Sequence, residues 1–289
     1  MFNQLFLLIL VTFSSYYMVA LAFSISYSTV KFFNLSFAVD IVYSAYLFKT
    51  FFHHFQFNPI FAAFFAITFC VVFQLILFKY LYSRINGNNG FFRLVASIGV
   101  LVIMQNILSI AYGDSSLVNS ISQNEKFGFG NIVITSNQAL LLLSASLLFL
   151  VNYFVFRFSH VGKLIKAVSS NKNLSIIYGI DSGKTELLSC IFSSIIFSFA
   201  GILYSFYTVL NPMYGFDFLL YGIIAMIIGG TGSTWGLVGG ALILSTSQHI
   251  GAYYIDSKWM DAIAYLILIM FLIWKPLGIS GRQLKKVEI

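Results

Sequence analysis

Apolar residues run in long blocks along this chain, separated by short polar or basic connections. A bilayer core takes about 20 apolar residues as helix, and stretches of that kind lie at roughly 5–29, 58–79, 93–112, 132–156, 186–210 and 236–254. Shorter apolar stretches lie at 33–49, 217–230 and 260–274. The pattern predicts an all-α polytopic membrane protein of about 8 to 9 transmembrane or re-entrant helices, with 1–289 forming a single transmembrane domain. A helical segment too short to span the core, or interrupted by Gly or a charge, needs protein or a water-lined cavity around its free backbone groups. Segments 33–49 and 217–230 are therefore where a pathway is expected.

Composition agrees: 59% of the 289 residues are apolar and 9% charged, against roughly a quarter charged in a soluble domain. Basic residues cluster in three connections: Lys79, Arg84 and Arg93; Arg157, Lys163, Lys166, Lys172 and Lys184; and Lys275, Arg282, Lys285 and Lys286. The positive-inside rule makes these cytoplasmic, and the intervening loops are poor in Lys and Arg. The N-terminus is outside if 33–49 crosses and inside if that segment dips and returns. The first lysine is Lys31, so the chain start lacks the basic region of a cleaved signal and is expected to be a retained span. The net charge of +7 follows from the same asymmetry. No solvated basic domain exists to bind nucleic acid. Cys70 and Cys190 lie in apolar runs without metal-ligand spacing, and neither a catalytic constellation nor a cofactor motif is present.

The connection 158–185 is too polar to span, yet Leu164, Ile165, Val168, Leu174, Ile176 and Ile177 give it a partly helical apolar face. An amphipathic element at the membrane surface is expected, received by lipid headgroups or by a partner protein. Within it GIDSGKT, 179–185, imitates a phosphate-binding loop. Gly179 stands one residue too close to Gly183 and no strand precedes it, so nucleotide binding is not expected here.

Glycines gather in IIGGTGSTWGLVGGALIL, 227–244. Gly229 and Gly230, with Thr231, Ser233 and Thr234, predict two helices joined by a turn at 231–235. Gly232, Gly236 and Gly240 recur every four residues, a spacing that stacks them on one helix face for close packing. Asp40 is the only acid well inside a short span, and there it must face water, pair with a base such as Lys31 or Lys49, or sit near an interface. Asn34, Gln105 and Asn106 can bond a polar solute or neighbouring helices. His249, Tyr214, Asp217 and Trp259 are expected near the external face.

The glycine segment resembles one in permeases of the high-affinity branched-chain amino-acid (LIV-type) ABC importers. Four further stretches are similar in the same order. They are FFNLSFAVDIVYSAYLF with Asn34 and Ser44-Ala45-Tyr46, RLVASIGVLVIMQNILSIAYG with Ser97, Gly99, Gln105 and Asn106, GKLIKAVSSNKNLSIIYGID ending in Gly179-Ile180, and WKPLGISGR with Lys275, Pro276, Gly278 and Gly281. The chain departs from the family at Phe37-Ala38, where members carry His-Gly, at Asp40, where an apolar residue is usual, and at Ser175, generally Ala.

The resemblance implies an ABC importer permease in a bacterial-type cytoplasmic (inner) membrane, bathed in membrane lipid. It would move a small polar solute inward, branched-chain amino acids foremost, driven by ATP hydrolysis elsewhere. Implied partners are a second permease chain in a homo- or heterodimer, two ABC ATPase subunits and a soluble solute-binding protein. The loop 158–185 becomes a coupling element carrying Gly162, Lys166, Ser175 and Gly179. Asn34, Asp40, Gln105 and Asn106 become pathway residues, and Gly229, Gly230, Gly232, Gly236 and Gly240 packing residues. The competing readings are an ATPase-independent secondary transporter or channel, a urea or amide importer permease, and a scaffold without a solute.

Overall fold

The computed structural model describes residues 2–85, 90–113, 126–129 and 132–280. Gly281, Arg282, Lys285 and Lys286 lie outside the described residues. The first half contains α1 (Phe2–Val30), α2 (Phe37–His53), α3 (Pro59–Ile76), continued by a π-helical turn over Leu77–Tyr82, and α4 (Gly90–Tyr112). A short antiparallel ladder, β1 (Lys126–Phe129) with β2 (Ile132–Thr135), precedes α5 (Ser136–Phe158). Two short helices, α6 (His160–Ser170) and α7 (Lys172–Ile177), lead to α8 (Ser182–Ser205), α9 (Tyr214–Gly229), α10 (Thr234–Tyr254) and α11 (Met260–Trp274). Apart from the ladder the chain is an all-α polytopic bundle.

The helices begin where side chains supply the missing backbone acceptors. Thr135 and Gln138 form a reciprocal capping box, so the apolar run from 132 becomes helix only at Ser136. Asp181 accepts from the N–H of Lys184 and starts α8 four residues earlier than the apolar run does. Asn34 Oδ1 accepts from the N–H and hydroxyl of Ser36, which holds residues 31–36 as a turn and delays α2 to Phe37.

Six helices are long and apolar enough to cross a membrane alone, and α9 with α10 forms a pair bent by 120°. α2 and α9, with 17 and 16 residues, span about 25 Å each, short of a core of about 30 Å. Both lie inside the bundle. α2 packs against α3, α8 and α9, while α1 packs against α5, α8, α9 and α10. Small residues permit these approaches. A Cβ on Gly201 would lie 2.2 Å from the Ile41 carbonyl oxygen, and one on Gly222 2.1 Å from Val19. Serines fill the same contacts: Ser193 Oγ donates to the Ala22 carbonyl at 2.7 Å. Outer helices α3, α4, α5 and α11 expose Phe61, Phe64, Ile103, Leu143 and Ile273, an apolar surface suited to lipid.

Hydrogen bonds between distant segments order the ends of the bundle. Gln4 pairs with the backbone of Val133 just before α5, and Thr50 pairs with Tyr112, joining the last turns of α2 and α4. At the other end Leu35 N–H donates to Ser97, near the start of α4. α2 therefore runs from the end that carries the basic connections to the opposite end. The start of α1 therefore lies at the end opposite the basic connections, the external end where the positive-inside rule holds.

Candidate functional site

The break between α9 and α10 and the loop after α5 meet at one end of the bundle, and the geometry of each follows from its residues. α9 stops at Gly230, whose φ of +90° favours glycine, and Gly232 repeats that value in the turn before α10. A helix ending inside a membrane leaves carbonyls without partners. Here the chain after α11 supplies donors: Ile279 N–H reaches the Ile228 carbonyl at 2.9 Å, Ser280 N–H the Gly229 carbonyl at 3.2 Å, and Ser280 Oγ the same carbonyl at 2.9 Å. Gly278, at φ +74°, lets this strap lie on Gly230, where a Cβ would come within 2.5 Å of the Gly230 nitrogen. The exit sequence around Lys275 to Ser280 thus satisfies the broken helix.

Of the predicted packing glycines, Gly229, Gly236 and Gly240 form one contact, α9 against α10 of the same chain. A Cβ on Gly236 would lie 2.3 Å from the Gly229 carbonyl oxygen, and one on Gly240 2.1 Å from that of Ala225. Gly230 and Gly232 belong to the turn instead. Gly232 precedes α10 and has open space around it, so the four-residue spacing does not place it on the helix face.

The loop between α5 and α8 folds as two helices with different surroundings. Gly162 is buried against α5, where a Cβ would meet the Val155 carbonyl oxygen at 2.3 Å. Ser175 is buried and donates to the Asn171 carbonyl. Lys172 pairs with the buried Glu186 of α8, which ties α7 to the bundle. Lys166 lines a cavity facing α1, α5 and the α9–α10 turn. Gly179 takes φ +80° and has nothing within 4 Å. Asp181 is held below the ordinary carboxyl value by the backbone N–H and then the side chain of Lys184. The GIDSGKT segment is thereby a glycine turn followed by a capped helix start. Leu174, Ile176, Ile177 and Tyr178 stand clear of the bundle, exposed by 50%, 51%, 80% and 78%, an apolar tip on a basic loop.

The four predicted pathway residues do not come together. Asn34 is buried and accepts from Ser36 and from the Tyr82 hydroxyl, while Gln74 bonds Ser36, so Asn34 braces the α1–α2 connection. Asp40 is fully buried in α2 near Ser194 of α8 and Cys70 of α3, and neither carboxyl oxygen has a hydrogen-bond partner. Neither Lys31 nor Lys49 pairs with it. Gln105 and Asn106 lie on α4, farther toward its external end. Asn106 is exposed on the outer face between Ile103 and Ile107 and donates to the Val102 carbonyl. A polar amide on a membrane-depth face requires protein or water beyond it.

At the external end Tyr214 is buried, with its hydroxyl donating to the Ile41 carbonyl. Asp217 and Trp259 are exposed, and the Tyr221 hydroxyl donates to Asp261. His249 bonds Thr12 at 2.7 Å. Sequence reading did not find the Tyr221–Asp261 pair or the strap on Gly229, because both join elements far apart along the chain.

The described residues form a multi-pass apolar bundle with one helix pair bent by 120° and a surface loop bearing an exposed apolar tip. The family described as the permease component of branched-chain amino acid transport systems matches residues 5–272, and the chain belongs to it, a LIV-type ABC permease family of multi-pass inner-membrane proteins. The family is a transport component, not an enzyme. The high-affinity branched-chain amino acid transport system permease protein LivH of Salmonella typhimurium is 25% identical over 216 residues, covering 71% of this chain and 69% of that protein. BraD of Pseudomonas aeruginosa, a permease protein of the same description, is 25% identical over 214 residues with the same coverage. A probable branched-chain amino acid transport permease protein LivH of Methanocaldococcus jannaschii is 29% identical over 170 residues, 56% of this chain and 52% of that protein. No solved structure matches the chain.

Proposed function

We propose that the chain is one of two permease subunits of an ABC importer that carries branched-chain amino acids inward, with ATP hydrolysed by two separate subunits docked beneath. The observation that carries this reading is the exposed tip Leu174, Ile177 and Tyr178. Apolar residues on a polar cytoplasmic loop lose nothing in water by being replaced, whereas a grooved partner would bury them. The 158–185 loop is then the coupling element, and the Lys172–Glu186 pair transmits its movement to α8.

The solute path runs between two permease chains rather than through either one. The interior around α2 is filled, whereas α4 presents Asn106 on its exposed outer face; Gln105, half-buried, falls on the face of Leu101 and Leu108. A second chain packed there would cover the Asn106 amide and leave it a narrow wet seam. A soluble solute-binding protein delivers cargo at the external end, where Asp217 and Trp259 are exposed.

Co-purification with the ATPase subunits tests the docking. Ile177→Glu with Tyr178→Glu puts two charges in the apolar tip without touching the bundle, and should abolish ATPase association while the chain elutes normally. Undiminished association would contradict the coupling role.

A further inference from the structure

Two cavities lie one above the other along α1, α5 and α10, and their chemistry is complementary. The cytoplasmic one, of about 160 Å³, is lined by Ser24 and Ser28 of α1, Asn152 of α5, Lys166 of α6, and Ser233 and Thr234 where α10 begins. No acidic residue lines it, and Lys166 makes no ion pair among the described residues. Ser233 caps α10 by accepting from the N–H of Gly236. The N–H groups of Thr234 and Trp235 belong to the first turn of this 21-residue helix, its positive end, where N–H groups have no intrahelical acceptor. This end of the cavity selects an anion.

The second cavity, of about 380 Å³, is apolar and open to one side of the bundle, walled by Phe13, Tyr17, Phe149, Leu150, Trp235 and Val238. On α1 the lining passes from Tyr17 to Leu21 within one turn, and on α5 from Leu150 to Asn152. On α10 the two linings interleave, with Thr234 and Leu237 in the first and Trp235 and Val238 in the second. Trp235 is 70% exposed and meets Phe149 edge-on at 5.3 Å. Tyr17, only 2% exposed, lines the groove, and its hydroxyl has no hydrogen-bond partner. An anion-selecting head beside an apolar groove, the two lined by successive turns of α1, α5 and α10, is the shape of one amphiphile.

We propose that this face binds a single anionic phospholipid of the cytoplasmic leaflet. Its phosphate sits between Lys166 and the first turn of α10, and an acyl chain lies along Tyr17, Phe149 and Trp235. The lipid links α6, the first helix of the coupling loop, to the turn joining α9 and α10. It would therefore hold together the two elements that must move when the coupling loop is displaced. The inference does not depend on which solute is carried.

The test uses the full chain in nanodiscs or detergent, titrated with dioleoylphosphatidylglycerol or dioleoylphosphatidylcholine and read by native mass spectrometry. Quenching of Trp235 by brominated acyl chains gives a second readout. Phosphatidylglycerol should be retained at least tenfold over phosphatidylcholine, and Lys166→Glu should erase that preference. Lys163→Glu, the same charge change on an exposed residue of α6 outside both cavities, should leave it intact and controls for folding. With Trp259 and Trp274 replaced by Phe, brominated phosphatidylglycerol should quench Trp235 more than brominated phosphatidylcholine does, and Lys166→Glu should remove that difference. Equal retention of the two lipids would overturn the proposal. So would full competition by millimolar inorganic phosphate, which would make the head an anion pocket without a lipid. Loss of permease dimers in Trp235→Ala, with no lipid preference in the parent chain, would also overturn it and assign the face to a second copy.

Discussion

Gly240→Ala tests the claim that α9 and α10 form one rigid bent unit by backbone contact. An added Cβ would lie 2.1 Å from the Ala225 carbonyl oxygen, 2.6 Å from the Gly229 nitrogen and 2.9 Å from its Cα. All three are backbone atoms that cannot rotate away. Ordinary contact begins at 3.4 Å, so the helices must separate by about 1 Å along their whole crossing. Overpacking of this kind costs about 1–3 kcal/mol, partly offset by a helix-propensity gain of about 1 kcal/mol for Ala over Gly. Gly239→Ala is the matched control. Its Cβ would meet only the Ile279 side-chain tip at 3.7 Å, so the propensity gain stands without a steric cost. Thermal unfolding in detergent, followed by fluorescence size-exclusion, should show Gly240→Ala less stable than the parent and Gly239→Ala equal or more stable. If the two variants melt together, the close backbone approach at Gly240 is not what holds the bent pair.

Three further outcomes follow from particular contacts. Ser280→Ala removes the hydroxyl that bonds Gly229 but keeps the Ser280 N–H bond, so a loss of about 0.5–1.5 kcal/mol is expected in the same unfolding assay. Gly278→Val should be worse, since it strains a positive φ and collides with Gly230; a silent substitution would show that the strap does not rest on the turn. Asp40→Asn keeps the shape of a buried side chain whose oxygens have no partner. It should leave stability unchanged or raised, and a marked drop would mean the carboxylate is paired.

The spans were legible because membrane helices must carry about 20 apolar residues, and each predicted segment corresponds to a helix. Boundaries shifted wherever a cap decided the start, as at Asp181, Thr135 and the Asn34–Ser36 turn. Glycine spacing pointed to close packing at Gly236 and Gly240 but could not say against what. The answer, α9 of the same chain, requires the 120° bend. The surroundings of the candidate pathway residues were the least legible. Asn34 and an outward amide such as Asn106 look alike in one dimension, and only burial separates a brace within the chain from a group facing a neighbour. Likewise the apolar spacing of the 158–185 loop did not distinguish Ile165 and Val168, turned into the bundle, from Ile177, turned out.

The most direct measurement is uptake of radiolabelled leucine into proteoliposomes holding this permease, its partner chain and the ATPase subunits, with the solute-binding protein added outside. Uptake should require internal ATP and the binding protein, and should vanish with Ile177→Glu and Tyr178→Glu together. Leucine accumulation driven by an ion gradient alone, without ATPase subunits, would contradict the account.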